Sequence, residues 1–171
     1  MESAFNISPE SFTGKHELEH GRYTRDKLDE YIVRYETIYL MRLLGNDLYK
    51  LFIADIEDYE PQSEPFKAIF EPLVVNDCDR SFTSLGVIDM LKGFIYFEFV
   101  KDANSYHTTA GVVSSTGEVS ERQNAKELIE RYNESVSSFW AIQRFIGQSL
   151  SNGESFYAGF QFHNLDKQGW F

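Results

Sequence analysis

The segment KHELEHG contains the spacing H-E-x-x-H in His16, Glu17 and His20. On a helix, two histidines four residues apart share one face and can bind zinc, while the glutamate activates a metal-bound water for hydrolysis. The surroundings do not favour such a helix, because Gly14 and Gly21 bracket the motif and glycine is a poor helix former. We therefore predict a polar, partly exposed N-terminal arm, with a zinc hydrolase as the less favoured alternative.

Other residues that carry out chemistry are sparse in this chain. It has a single cysteine, Cys78, which excludes an internal disulfide framework. It has no G-x-S-x-G, no C-x-x-C and no phosphate-binding glycine-rich loop. Carboxylates are abundant, but their spacing singles out no acid and base pair. The sequence thus predicts a protein that is not an enzyme, with no catalytic residue, no cofactor and no bound metal.

The charge and the composition limit the class of protein further. Twenty-seven acidic and 16 basic residues give a net charge of −11, whereas proteins that grip DNA usually present a basic stripe to the phosphates. Hydrophobic residues make up 42% of the chain and aromatic residues 16%, which is enough for a folded core. No apolar run reaches the length of a membrane span, and the first residues do not resemble a signal peptide. We expect a cytoplasmic protein without membrane contact.

Hydrophobic periodicity predicts a mainly α fold, a bundle of about four to five helices. The first helix begins after a candidate N-cap at Thr24. The residues LGND, 44–47, read as a helix stop followed by a new cap. A short helix is then expected to end before Pro72, because proline interrupts helices.

Two longer helices complete the predicted bundle. The stretch SLGVIDMLKGFIYFEFVKDA is apolar almost all round, which is typical of an enclosed helix, and Gly93 would permit a close helix crossing. The residues SERQ match a capping box from Ser120 to Gln123 and open the longest helix. That helix is expected to stop around Gly147.

Two segments lack a helical period. The residues at about 104–119 are rich in Thr, Ser, Val and Gly, which predicts a β-hairpin or an extended arm. The last residues are aromatic without a period, and such residues usually dock, either on the same subunit or on another. We predict an arm (1–23), a helical domain with the hairpin insertion (24–150) and a docking tail (151–171) that is not needed for folding. The candidate interface residues are Tyr106, Thr108, Thr109, Val112, Val113, Phe156, Tyr157, Phe160, Phe162, Trp170 and Phe171.

The order of four motifs, LLGNDLYKLF, SLGVIDMLKGFIYFEFVKD, TTAGVV and ERYNESVSSFW, resembles the head-tail connector proteins of tailed bacteriophages, particularly crAss-like and other Bacteroidetes-infecting phages. The similarity covers about Leu28 to Ile146. It implies a small helical adaptor that assembles with itself into a ring, expected to be dodecameric, below the portal protein in the neck of the virion. The ring would form in the host cytoplasm, extend the DNA channel and dock tail or further neck proteins.

An acidic balance fits a ring that surrounds DNA without holding it. Duplex DNA carries about one charge per 1.7 Å of axis, so an acidic channel would let it pass without specific binding. The channel-facing candidates are Asp55, Glu57, Asp58 and Glu60, although an acidic run is more often a solvated loop. A phage-encoded regulatory or host-takeover protein would also be acidic and lack catalytic residues, and it stays open as the alternative. Such a protein should be a monomer or dimer.

Overall fold

The computed structural model of the protein describes residues 3–18, 22–104, 106–108, 111–113 and 118–168, and the side chains of 22–24 and 103–124 are outside the description. Its helices in this part of the chain are α1 (Arg22–Ala54), α2 (Glu64–Phe70), α3 (Val87–Asn104) and α4 (Glu118–Ser151). The predicted mainly α fold is confirmed. Among these residues, none of the helices combines the length and the apolar character that crossing a membrane requires.

Short antiparallel hairpins connect the helices. The strands are β1 (Ile56–Glu57) with β2 (Glu60–Pro61), β3 (Leu73–Asp77) with β4 (Arg80–Ser84), and β5 (Tyr106–Thr108) with β6 (Gly111–Val113). The third pair confirms the hairpin predicted between the last two helices. The first pair stands where a solvated acidic loop was expected, and the second where only a turn was expected, so both hairpins were missed.

The first helix is broken where the sequence predicted a stop. Gly45 has φ 77° and ψ 166°, far from helical values, and a positive φ is a conformation that glycine adopts without steric cost. The helix begins at Arg22, so Thr24 lies inside it and the predicted N-cap is wrong. The break divides α1 into a long first segment and a shorter second segment that leads to β1.

Helix α3 lies at the centre of the bundle, as its apolar sequence indicated. Its fully buried side chains include Val87, Met90, Leu91, Phe94 and Ile95. A Cβ atom on Gly93 would overlap Oγ of Ser135 in α4, so the predicted close crossing is confirmed, and α3 and α4 meet there at a distance that only glycine allows.

Helix α4 differs from its prediction at both ends. It begins at Glu118, so Ser120 lies inside the helix and the predicted capping box is wrong. It also continues through Gly147 to Ser151, where a stop was expected. Instead of ending the helix, Gly147 leaves room for the ring of Phe162, whose Cζ would lie 2.6 Å from a Cβ at that position.

The β3–β4 hairpin packs on α4 through one face. Val75 and Phe82 are opposite each other in the register, and Val75 is buried while Phe82 is half-buried. The guanidinium of Arg144 lies 4.1 Å from the ring centre of Phe82 and forms an ion pair with Asp77. Side chains alternate along a strand, so Val74 points to the other face, toward solvent.

The N-terminal arm packs into the core, in contrast to the predicted polar, partly exposed arm. It forms two 3-10 turns, Pro9–Ser11 and Gly14–His16. Its buried apolar residues are Phe5, Ile7, Phe12 and Leu18. A buried carboxylate of α1, Glu36, accepts hydrogen bonds from the Ser3 hydroxyl at 2.5 Å and the Ala4 N–H at 2.9 Å. The arm is therefore part of the folded domain.

Candidate functional site

The histidine motif does not have the helical geometry that zinc hydrolysis needs. His16 ends a 3-10 turn, and Glu17 follows in an extended conformation with φ −62° and ψ 133°. Glu17 therefore does not share a helical face with His16, and His20 lies outside the described residues. In the described part of the chain, no three His, Cys, Asp or Glu side chains are grouped so that they could hold a metal ion.

His16 instead packs in the core. Its ring lies 5.9 Å from the ring of Tyr96, and only 4% of the residue is exposed. Burial lowers the pKa of His16 to about 4, although the nearby carboxylate of Asp89 opposes the shift. The imidazole is therefore neutral at pH 7 and serves as a packing residue.

The first part of the aromatic tail is built into the protein's own core. Tyr157 is 1% exposed, and its hydroxyl donates a hydrogen bond to the backbone C=O of Pro65. Phe156 packs edge-on against the ring of Phe66, with ring centres 4.8 Å apart. Tyr157 was predicted as an interface residue, but its burial removes it from any surface that a partner could reach.

The rest of the described tail lies along α4. The indole N–H of Trp140 donates to the C=O of Leu165 at 3.1 Å. The side-chain amide of Asn133 exchanges two hydrogen bonds with the backbone of Gln168, at 2.8 and 3.0 Å. The described tail therefore docks on its own subunit in this structure.

The remaining predicted interface residues differ in their surroundings. Phe160 is half-buried against the core, and Phe162 is 65% exposed above Gly147. In the β5–β6 hairpin, Tyr106 pairs with Val113, and the neighbouring pairs continue through His107 with Val112 and Thr108 with Gly111. Thr109, Trp170 and Phe171 lie outside the described residues, and the hairpin is described by its backbone alone.

The four predicted acidic residues lie on one short hairpin, which we call the acidic knuckle (residues 55–63). Its turn consists of Asp58 with φ 50° and Tyr59 with φ 71°. Two consecutive positive φ values are the pattern of the tight hairpin turn that normally contains glycine or asparagine. Tyrosine is an unusual residue there, and its ring is half-exposed.

Hydrogen bonds within residues 55–63 stabilise the conformation of the knuckle. The carboxylate of Asp55 accepts from the N–H groups of Gln62 and Ser63, at 2.9 and 2.8 Å, and from the Ser63 hydroxyl. The side-chain amide of Gln62 in turn donates to the C=O groups of Glu57 and Glu60. The knuckle therefore keeps its shape through its own polar groups.

These hydrogen bonds distinguish Asp55 from the other three acidic residues of the knuckle. Burial raises the pKa of Asp55, but the hydrogen bonds from Ser63 and Gln62 outweigh it, so that the pKa lies below its usual range. Asp55 is thus a structural residue that closes the base of the knuckle. Glu57, Asp58 and Glu60 are exposed, which leaves them as the acids on the surface of the knuckle.

Negative charge is concentrated in the middle of the chain. Residues 55–80 contain eight acidic and two basic residues, more than half of the net charge of −11. Some of these acids are engaged within the chain: Asp77 pairs with Arg144, and Glu64 with Lys67. The three exposed knuckle acids appear in no ion pair among the described residues.

A groove of about 610 Å³ runs between α4 and the tail. The Asp77–Arg144 pair borders it, with Trp140, Phe162 and His163 along its walls. Several polar groups in these walls already bond within the chain, for example Gln148, whose amide donates to the C=O of Asn76 at 2.8 Å. The groove is thus a seam between packed elements of the same chain.

Comparison with known proteins adds no template for this arrangement. No family model matches the chain, and no curated protein and no solved structure matches it either. The functional proposals therefore depend on the residues and the geometry of this chain.

Proposed function

We propose that this protein is the subunit of a head-tail connector ring in a tailed bacteriophage, placed below the portal in the neck of the virion after assembly in the host cytoplasm. The observation that carries the proposal is the position of the exposed apolar side chains. Val74, on the outer face of the β3–β4 hairpin, is 62% exposed, Leu85, which follows β4, is 54% exposed, and Met41 on α1 is 37% exposed. A ring subunit needs two different surfaces, one for each neighbour.

The packing of the tail changes which residues make these contacts. Because Tyr157 and Leu165 are buried in their own subunit, the described tail is not a free arm for the neighbour. The neighbour contacts are instead assigned to the β3–β4 hairpin and to α1. The β5–β6 hairpin, inserted between α3 and α4, is a further candidate for a contact, because two-stranded hairpins often add to other sheets through their edges.

The distribution of charge supports passage of DNA without specific binding. A carboxylate-rich surface repels phosphates and releases no counterions on contact, so a channel lined by it does not retain duplex DNA. The exposed acids Glu57, Asp58 and Glu60 are the channel candidates, unless they are covered by a neighbouring subunit. The portal protein and tail or neck components are the proposed partners above and below the ring.

Electron microscopy of the purified protein mixed with the portal of the same phage tests the proposal. We expect a ring stacked coaxially on the portal, with a continuous central channel. The variant Val74→Asp with Leu85→Asp should keep its circular dichroism spectrum and lose the ring. The matched control, Ala68→Asp with Ala125→Asp, places two charges on exposed positions outside the β3–β4 hairpin and α1 without removing a large apolar side chain, and it should keep the ring.

The opposite result favours the alternative class. A protein that stays monomeric or dimeric with the portal, and whose portal particles look unchanged, would not be a connector. A regulatory binding protein would behave in that way.

A further inference from the structure

One side of α1 is basic and uncovered in an otherwise acidic protein. Residues spaced by three, four and seven lie on one side of a helix, and Lys27, Arg34, Ile38 and Met41 follow this spacing, with Arg42 beside them. An exposed carboxylate, Glu30, lies at the same spacing, so this side carries three cations and one acid. We call this set the basic stripe. The core residues Leu28, Ile32, Tyr39 and Leu43 lie on the opposite side of α1, so the stripe faces solvent.

The cations of the stripe have no carboxylate partner in the described part of the chain. Eight salt bridges are present there, and none includes Lys27, Arg34 or Arg42, all of which are exposed. Acidic residues outnumber basic ones 27 to 16, so unpaired cations on one helix side are unexpected. Arg34 and Arg42 lie 5.5 and 5.6 Å from the ring centres of Tyr35 and Tyr39, which holds both guanidinium groups near the helix.

The acidic knuckle has the complementary composition. It presents Glu57, Asp58 and Glu60 around the half-exposed ring of Tyr59. The stripe presents three cations around Ile38 and the exposed Met41. On each surface three charges of one sign predominate beside an apolar contact, and tyrosine is among the residues that most often anchor interfaces.

We propose that the basic stripe of one subunit binds the acidic knuckle of a second copy of this chain. The contact is heterologous, since it joins two different surfaces, and it leaves a free stripe and a free knuckle at the ends, so it propagates until a ring closes. It rests on the proposed function and extends it by adding the acidic knuckle to the neighbour contacts already assigned to α1 and the β3–β4 hairpin. It also moves the knuckle acids from the channel to the interface between subunits.

Two charge-reversal variants test the pairing. The stripe variant carries Arg34→Glu and Arg42→Glu, and the knuckle variant carries Glu57→Lys, Asp58→Lys and Glu60→Lys. Alone, each has two surfaces of like charge, and its self-association should weaken at least about tenfold. An equimolar mixture should associate again, because each reversed surface then meets an opposite charge on the other variant.

Controls match the charge changes at positions away from both surfaces. Lys126→Glu with Lys167→Glu repeats the charge change of the stripe variant, and Glu130→Lys, Glu154→Lys and Asp166→Lys repeat that of the knuckle variant, all at exposed positions. Both controls should associate like the wild type. Circular dichroism checks that each variant is folded.

A portal-free measurement separates this inference from the proposed function. Wild-type protein is mixed in its ordinary and nitrogen-15-labelled forms and treated with a carbodiimide, which joins lysine to carboxylate. Mass spectrometry should find Lys27 joined to Glu57, Asp58 or Glu60 of the other isotopic form. Because this measurement uses the wild-type protein, it tests the pairing even if the knuckle variant does not fold.

The outcomes distinguish the two proposals. Cross-links between the stripe and the knuckle without binding to the portal would support the pairing and reject the connector. A portal-bound ring that forms equally well with both variants would support the connector and overturn the pairing. The pairing is also wrong if the mixture of variants fails to associate, or if the stripe binds duplex DNA instead, with self-association unchanged by its reversal.

Discussion

The two ends of the chain are held in place by different interactions. The N-terminal arm inserts Phe5, Ile7 and Phe12 into the core and is tied to α1 by one buried carboxylate, Glu36. The described tail buries Tyr157 and Leu165 and is otherwise tied to α4 through hydrogen bonds to its backbone. Because the arm is held mainly by apolar burial, removing one of its aromatic rings should lower the free energy of unfolding more than removing one of its hydrogen bonds. In the tail, we expect both kinds of contact to contribute to stability.

The largest expected effect comes from removing the tail. A variant that ends at Asn152 loses the buried Tyr157 and Leu165, and removal of one large core side chain usually costs about 2 to 5 kcal/mol. We therefore expect the free energy of unfolding to fall by at least about 5 kcal/mol, in contrast to the expectation from sequence that the tail is not needed for folding. Urea denaturation measures the loss. Unchanged stability would mean that the tail only covers an already complete core.

The substitution Phe12→Ala tests the arm in the same way. The ring is fully buried, and truncation of a buried phenylalanine costs about 3 to 5 kcal/mol. Phe162→Ala is the matched control in the tail, because its ring is mostly exposed and should cost less than about 1 kcal/mol. Equal losses in the two variants would contradict the burial that separates these residues.

The pH dependence of stability should reveal His16 in the arm. Its pKa is about 4 in the folded protein and 6.5 when unperturbed, so between these values the unfolded chain binds more protons. The stabilisation is therefore complete above pH 6.5 and decreases as the pH falls toward 4, by on the order of 3 kcal/mol. Denaturation of His16→Phe across this range should show a weaker pH dependence than the wild type.

Glu36 affects the pH dependence of stability in the opposite direction to His16. Burial raises its pKa, although hydrogen bonds from Ser3 and Ala4 lower it in part, so its contribution is present at low pH and is lost as the pH rises through the folded pKa. Because Glu36 is present in both the wild type and His16→Phe, its effect cancels in their difference. A difference that does not change between pH 4 and 6.5 would show that His16 is not protected from protonation.

The smallest expected effect concerns one hydrogen bond of the tail. Tyr157→Phe removes the hydroxyl that donates to the C=O of Pro65 but keeps the buried ring. We expect a loss of about 0.5 to 1.5 kcal/mol in urea denaturation. A loss as large as that of Phe12→Ala would mean that the tail is held mainly by polar contacts.

Regular spacing made some elements predictable. The apolar run around Gly93 and the LGND break at Gly45 follow from periodicity and backbone conformation, and both are present in the structure. The apolar residues of the arm lie at irregular intervals, so no period marks them as core. The predicted helix starts are three residues late, because suitable caps occur at Thr24 and Ser120, whereas the helices extend beyond them.

The candidate surfaces were less accessible to sequence reasoning. The knuckle turn contains Asp58 and Tyr59 in place of the glycine or asparagine that would have marked it. The hydrogen bonds that hold the knuckle join the Asp55 carboxylate to residues seven and eight positions later. No local sequence pattern predicts such a contact. Acidic residues were recognised as a run, but their division into one structural and three exposed carboxylates required the hydrogen bonds.

Because α1 is broken at Gly45, a small change in the backbone at this residue would move the far end of the second segment by a larger distance. Its nine residues, 46–54, extend about 13 Å at 1.5 Å per residue, and the knuckle is attached at the far end. A rotation of about 10° at Gly45 would displace that end by about 2 Å, several times the range of about 0.5 Å over which a hydrogen-bond distance can vary. Any side chain at position 45 is strained by the positive φ. The orientation of the acidic knuckle thus depends on Gly45, a residue that belongs neither to the knuckle nor to the basic stripe.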